Sequence, residues 1–268
     1  MASHAEIAYK DVKGPARANV LGVGISAVNM DDAVTACDEL VARGGCGYVC
    51  VTGVHGVMEA RRNGRFREIL NRSFLNVPDG TPTVWVGRLQ RHHNIRRVYG
   101  PELMLTFCKA TASKGYRHFL YGGNPGVAER LATALKEQVP GLQIAGTYTP
   151  PFRPLTQAEE KDLTEKLLAS RADVLWVGLS TPKQEQFMAQ HLGRLTVKLM
   201  VGVGAAFDIH TGGIKDAPQW VKSAGLQWLH RLIHEPRRLW KRYLTIVPAF
   251  LFHIALQLTG IERYSLNS

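Results

Sequence analysis

The stretch Leu75-Asn76-Val77-Pro78-Asp79-Gly80-Thr81-Pro82 decides the fold. A short apolar run ends in Pro-Asp-Gly and a helical pattern starts at once. That reads as the carboxyl end of a strand turning into a helix. In open α/β sheets ligands bind along this edge. Asp79 stands there, with its carboxylate beside a helix N-terminus that favours the charged form. Two readings meet at this residue. Asp suits turns and helix caps, and a carboxylate at a strand end is also a candidate catalytic group.

Outward from this stretch the pattern repeats. Strand-like runs fall at 19–25, 48–54, 74–77, 118–121, 142–148, 173–179 and 197–204. Helical patterns lie between them, at about 30–42, 57–71, 83–89, 101–113, 127–138 and 156–170. Tyr48–Val54 and Asp173–Leu179 are apolar on both faces, as buried parallel strands are. Such alternation predicts an α/β fold, a Rossmann-like mainly parallel sheet with helices on both faces. The expected core spans 18–213, and a C-terminal helical appendage spans 214–268.

The 268 residues are 45% hydrophobic and 21% charged, which is ordinary for a globular chain. The net charge of +11 points to an anionic partner, either a phosphorylated ligand or an acidic membrane surface. Nucleic acid is not expected, because aromatics are not interleaved with the basic runs as a stacking surface requires. Cys37, Cys46, Cys50 and Cys108 form no CxxC pair and read as reduced thiols. No signal peptide is read at the polar N-terminus.

After Gly213 the character changes. Helical segments at 218–242 break at Glu235-Pro236, and eight Lys/Arg stand against three acids between 211 and 268. The nearly uncharged run Tyr243–Ile261 follows the basic cluster. A basic flank before an apolar, aromatic-bearing segment predicts a helix lying in an anionic interface. Packing on the core and true spanning are the other readings, and the run is short and interrupted for a span. An interfacial tail would leave the core folded when 244–268 are deleted.

Several motifs occur in one order: Asn76-Val77-Pro78-Asp79-Gly80, Arg97-Val98-Tyr99-Gly100-Pro101, Pro182-Lys183-Gln184-Glu185 and Gly202-Val203-Gly204-Ala205-Ala206-Phe207-Asp208. Ala217-Pro218 and Gly225-Leu226-Gln227-Trp228-Leu229-His230-Arg231, running on to Glu235-Pro236-Arg237-Arg238, complete the set. Over roughly residues 20–242 the chain resembles the WecG/TagA/CpsF family of bacterial glycosyltransferases. The resemblance implies a UDP-sugar donor, a polyprenyl-diphosphate-linked saccharide acceptor, inversion, no required metal and no cofactor. It also implies a peripheral position at the cytoplasmic face of the inner membrane, in exopolysaccharide, capsule or cell-wall polymer synthesis. Whether the chain forms a homo-oligomer is left open.

The resemblance implies Asp79 as the base that takes the acceptor hydroxyl proton. Arg97 matches a pocket arginine, and Arg231 and Arg238 match arginines of the appendage that would meet the leaving diphosphate. Gln184 matches a pocket glutamine for sugar hydroxyls. Where many members carry Thr-x-Asn, this chain reads Thr52-Gly53-Val54-His55, so the donor sugar is not carried over. His55 is a second acid/base or an ordinary hydrogen-bonded histidine. From the residues alone, Gly122 and Asn124 belong to a glycine-rich strand-to-helix turn of the kind that receives an anion, or that is simply tight. Gly202 and Gly204 allow a close backbone approach to a nucleotide, or tight packing. Asp208 holds a ribose or sugar hydroxyl, or caps a helix.

A dinucleotide-binding oxidoreductase is the alternative, resting on Gly22-Val23-Gly24-Ile25-Ser26-Ala27, a loose GxGxxA. No acidic residue ends a second strand about 20 positions on, as that fingerprint needs.

Overall fold

The computed structural model describes residues 14–266 apart from Ala224, without the side chains of 223, 238, 239, 241 and 242. The polar lead-in at 1–13 and the side chain of Arg238 thus lie outside the described residues. Six parallel strands form the sheet: β3 (Gly47–Thr52), β4 (Leu75–Pro78), β5 (Arg117–Gly122), β6 (Gln143–Tyr148), β7 (Val174–Gly178) and β8 (Leu199–Gly202). Their order is β4-β3-β8-β7-β5-β6. Alternate residues serve opposite faces. On one face Tyr48, Cys50, Tyr121 and Met200 pack under α2 (Val54–Arg62), α3 (Gly64–Arg72), α7 (Gln157–Ser170) and α8 (Lys183–His191). On the other, Val49, Val77, Trp176 and Val201 pack under α1 (Met30–Ala42), α5 (Gly100–Thr111), α6 (Val127–Gln138) and α9 (Ala206–His210). The expected α/β class and parallel sheet are present, with apolar layers on both sides.

Two local readings are corrected. Residues 19–25 are not one strand. They belong to an antiparallel hairpin, β1 (Arg17–Val20) and β2 (Val23–Ser26), turning at Leu21 (φ 53°) and Gly22 (φ 83°). Two positive-φ residues match the twist of a tight hairpin. The hairpin leans on β4, where Asn76 N donates to Ser26 Oγ at 3.0 Å and Asn76 Nδ2 to Gly24 O at 3.1 Å. The loose GxGxxA therefore opens no helix and offers no amides to a pyrophosphate, which removes the support for the oxidoreductase. The helix expected over 57–71 is two helices, parted at Asn63. Its side chain accepts from Phe66 N at 3.1 Å and so starts α3 where α2 ends.

Under β5 and β7 lies a buried polar chain. Trp176 Nε1 donates to His118 Nδ1 at 3.1 Å, and His118 Nε2 faces Thr111 Oγ1 at 3.3 Å. Thr111 Oγ1 donates in turn to Phe107 O. With Nδ1 accepting, the neutral imidazole satisfies every member, whereas protonation would oppose two N–H groups. Burial accordingly lowers the His118 pKa from its ordinary 6.5 to about 4. Between those values the unfolded chain takes up a proton that the folded chain refuses. Stability is therefore constant above about pH 6.5 and falls as pH drops toward 4, by up to about 3 kcal/mol from this residue. Urea unfolding at pH 7.5 and 4.5 checks this. The loss should shrink by most of that amount in His118→Gln.

The C-terminal part forms α10 (Gln219–Ser223), α11 (Gln227–His234) and α12 (Pro236–Leu258), with the expected break at Glu235-Pro236. No helix among the described residues is long and apolar enough to cross a membrane. The tail also packs on the core along one side. Phe250 and Ile254 of α12 are buried in the same apolar layer as β3 and β5. Gln257 ties the hairpin from both sides: Leu21 N donates to its Oε1 and its Nε2 donates to Asn19 O, each at 2.8 Å. Asn19 Nδ2 reaches Tyr264 O at 2.7 Å, and Asn71 Nδ2 reaches Leu266 O at 3.2 Å. Periodicity cannot distinguish a core-facing from a lipid-facing apolar stripe, and here one stripe faces the core.

Candidate active site

A cavity of about 650 Å³ opens at the carboxyl ends of β3 and β4. Its sheet side presents Gly53, His55 and Asp79, and its appendage side Arg231, Trp240 and Pro248. Asp79 is fixed by backbone pairing. Its N–H donates to Thr52 O at 3.0 Å and prolongs the β3–β4 ladder. Next to it, Val98 N donates to Pro78 O at 2.8 Å, which brings Arg97 alongside. Gly53 is required by the same closeness, because a Cβ there would sit 2.5 Å from Asp79 O. The helix-cap reading of Asp79 fails. Gly80 (φ 120°) holds the N-cap position of α4 (Thr81–Leu89), with no side-chain cap bond.

Arg97 Nε lies 3.6 Å from Asp79 Oδ1. The Arg97 guanidinium stacks 4.5 Å from the Tyr99 ring, and its Nη2 donates to Gln227 Oε1. Arg231 approaches Glu235 at 3.7 Å through Nη2. The Nε atoms of Arg97 and Arg231 are both buried without a hydrogen-bond partner. Burial raises the Asp79 pKa above the ordinary aspartate value, and Arg97 and then Arg231 pull it back. The sequence expectation that the helix N-terminus would favour the charged form is thus outweighed by desolvation. The result is a carboxylate more basic than usual, with one cation 3.6 Å away and a second lining the same cavity. Burial and the neighbouring Asp216 hold the Tyr99 phenol neutral, and it donates to Asp216 Oδ1 at 3.1 Å.

The other expected site residues fall into separate places. His55, in the first turn of α2, is on the cavity wall, whereas Thr52 is buried beneath it. Gln184 is buried further along the same edge, with Nε2 donating to Glu185 Oε1 at 3.0 Å and Oε1 without a partner. A Cβ at Gly202 would meet Met188 Cε at 2.8 Å and Gln184 Nε2 at 3.0 Å, so the glycine lets these two side chains pack against the strand. Gly204 (φ 48°) lies against the same amide, where a Cβ would be 3.5 Å from Gln184 Oε1. Gly122 abuts the Gly178 backbone, and Asn124 O accepts from Val127 N at 2.9 Å. Asp208 lies in α9. None of Gln184, Gly122, Asn124, Gly202, Gly204 and Asp208 lines the cavity.

Sequence reading missed Tyr99, Asp216 and Gln227, which surround Arg97. Two of them stand inside quoted motifs, and Asp216 directly precedes Ala217-Pro218. Among the described residues no group of three His, Cys, Asp or Glu is placed to hold a metal ion.

Known proteins resemble the chain over most of its length. An N-acetylglucosaminyldiphosphoundecaprenol N-acetyl-β-D-mannosaminyltransferase of Bacillus spizizenii (strain ATCC 23059 / NRRL B-14472 / W23) is 30% identical over 198 residues, 73% of this chain and 75% of that protein. The protein with the same description from Bacillus subtilis (strain 168) is 29% identical over 180 residues, 67% of this chain and 68% of its own. The model of the glycosyl transferase WecG/TagA/CpsF family matches residues 18–264. With nearly the whole described chain inside that match, the protein belongs to the WecG/TagA/CpsF family and is a glycosyltransferase.

Proposed function

We propose that the protein moves a sugar from a UDP-sugar to a saccharide carried on a polyprenyl diphosphate, with inversion and without a metal. The observation that carries this is Asp79, a half-buried carboxylate on the wall of a cavity that Arg97 and Arg231 also line, with Arg97 Nε 3.6 Å from its Oδ1 and its basicity raised. The acceptor hydroxyl oxygen attacks the anomeric carbon and its proton passes to Asp79. The bond from that carbon to the UDP oxygen breaks, and the pair leaves with UDP. Arg97 and Arg231, whose buried Nε groups have no hydrogen-bond partner, supply N–H donors to a diphosphate. Arg238 is assigned to the same task from its place in the motif. Cations beside the carboxylate favour phosphate over a divalent ion, so the leaving charge is neutralised by side chains.

The relatives' names support the acceptor, since both describe proteins acting on N-acetylglucosaminyldiphosphoundecaprenol. They support a place in bacterial cell-wall or other extracellular polymer assembly. We leave the donor to experiment, because His55 occupies the cavity wall at the variant motif. Gln184, Gly202, Gly204 and Asp208 along the edge are assigned to donor binding, with Gly122 and Asn124 beyond them. UDP release should be measured with UDP-N-acetylmannosamine, UDP-glucose and UDP-glucuronic acid. The acceptor is a short-chain polyprenyl-diphosphate N-acetylglucosamine, with and without EDTA. Acceptor-dependent release that survives EDTA is expected with one donor. Loss of release in EDTA overturns metal independence, and release that ignores the acceptor overturns the transfer.

The protein is assigned to the cytoplasmic face of the membrane as a peripheral enzyme. Leu244, Leu251 and Phe252 of α12 are exposed, beyond the basic start of that helix. Such a face suits the interface of an anionic leaflet. Leu251→Ser/Phe252→Ser should weaken co-sedimentation with anionic vesicles by roughly tenfold or more. Unchanged sedimentation would place the contact elsewhere.

A further inference from the structure

Arg97 is held from behind. Gln227, the first residue of α11, is buried, and its Oε1 accepts from Arg97 Nη2. Its Nε2 donates to Asp216 Oδ1 at 3.4 Å. That carboxylate is itself fixed by Tyr99 Oη at 3.1 Å, by Ala217 N at 2.8 Å and by Lys222 Nζ at 2.6 Å. Lys222 also reaches Glu102 at 3.1 Å. The amide therefore has one sense: its nitrogen is committed to Asp216, and its oxygen faces the guanidinium. Meanwhile Arg97 Nε stays 3.6 Å from Asp79 Oδ1 and makes no hydrogen bond. An arginine beside a half-buried carboxylate ordinarily closes into a short, often bidentate pair. Here it stops short.

We propose that Gln227 is a positioning residue that holds Arg97 back from a closed ion pair with Asp79. The restraint leaves the carboxylate free to take a proton and leaves an Arg97 N–H for the substrate diphosphate. The inference rests on Asp79 being the base. It also gives the appendage a role in setting the protonation chemistry of a residue carried by the sheet. The charged or titratable groups around the pair are Arg231 from α11, Glu102 from α5 and His55 from α2, with Tyr99, Asp216 and Lys222 behind Arg97.

The test is the pH dependence of acceptor-dependent UDP release in Gln227→Leu and Gln227→Glu, with the donor found active and saturating acceptor. Without the acceptor oxygen, Arg97 closes on Asp79. In Gln227→Leu the acid limb should move down by about half a pH unit or more and the plateau rate should fall about tenfold. Gln227→Glu keeps an acceptor for Arg97 and adds an anion near Asp79, so its acid limb should move up. A role in folding alone does not move the limb in opposite directions. An acid limb at the wild-type position in both variants overturns the proposal, as does a shift of the same sign in both. If Gln227→Leu does not fold, the direction in Gln227→Glu decides, upward supporting and unmoved or downward overturning. Asp79→Asn, run alongside, separates the two failures. Should it retain the acid limb, the assignment of the base is wrong. Should it lose the limb while the Gln227 variants keep theirs, only the positioning role is wrong.

Discussion

Asp79→Asn is expected to lower acceptor-dependent turnover by about two to four orders of magnitude, the range a positioned general base contributes. The substitution is nearly isosteric. The hydrogen bond that fixes residue 79 comes from its backbone N–H to Thr52 O and survives. The neighbouring Val98–Pro78 pairing and the Gly80 cap are likewise backbone features. What disappears is the basicity of the carboxylate, since an amide oxygen does not take up the hydroxyl proton. Stability should change little, because a half-buried carboxylate near Arg97 trades a burial penalty against Coulomb attraction. The donor KM should also change little, since the proton is transferred only in the bond-making step. Steady-state kinetics with a melting curve on the same preparation check all three expectations. A modest loss of rate would return Asp79 to a spectator and direct attention to His55 on the same wall.

Phe250→Ala should destabilise the whole protein by about 3–4 kcal/mol, the cost of emptying a buried aromatic site. Phe250 is 1% exposed and lies with Ile254 in the layer that also contains Tyr48, Tyr121 and Met200. The same helix carries Gln257, whose two hydrogen bonds hold the hairpin turn at Leu21 and the Asn19 carbonyl. Loss of Phe250 therefore loosens β1–β2 as well as α12. Since that hairpin braces β4 through Asn76, the strain reaches the strand that delivers Asp79. Urea unfolding followed by fluorescence should show one cooperative transition shifted to lower urea. A tail independent of the core would instead give a shift within about 0.5 kcal/mol.

The parts of the fold that could be read from the chain are those fixed by local chemistry. Leu75–Pro82 reads as a strand, a turn and a helix because Gly80 takes the positive φ of the turn and Pro82 suits the first turn of a helix. Glu235-Pro236 marked a helix boundary for the second of these reasons. The hairpin at Leu21-Gly22 was hidden because its turn places leucine, a poor residue for positive φ, beside the glycine. The division at Asn63 was hidden because the apolar period runs through it and only the side-chain bond to Phe66 N breaks it. The packing of α12 was illegible because its residues are apolar on more than one side.

The site shows the same division. Asp79, Arg97 and Arg231 stand in separate motifs, and the fold brings them to one cavity. Gln184, Gly202 and Gly204 also meet, but further along the edge, and Gly202 has a packing reason of its own. Gln227 stands in a quoted motif that gives it no role, and Asp216 lies in the coil before α10, where a single Asp is ordinary. Their meaning comes only from distances to Arg97 and Tyr99.

The most direct test of the central claim is the acid limb of acceptor-dependent UDP release, measured in wild type and in the residual activity of Asp79→Asn. A base must be ionised to act, so the rate should rise with pH through the Asp79 pKa. Burial places that value above the ordinary aspartate range. Such a limb is expected in wild type, with a flat residual rate in Asp79→Asn. The same limb in both proteins would contradict Asp79 as the base, because some other group would then be taking the proton.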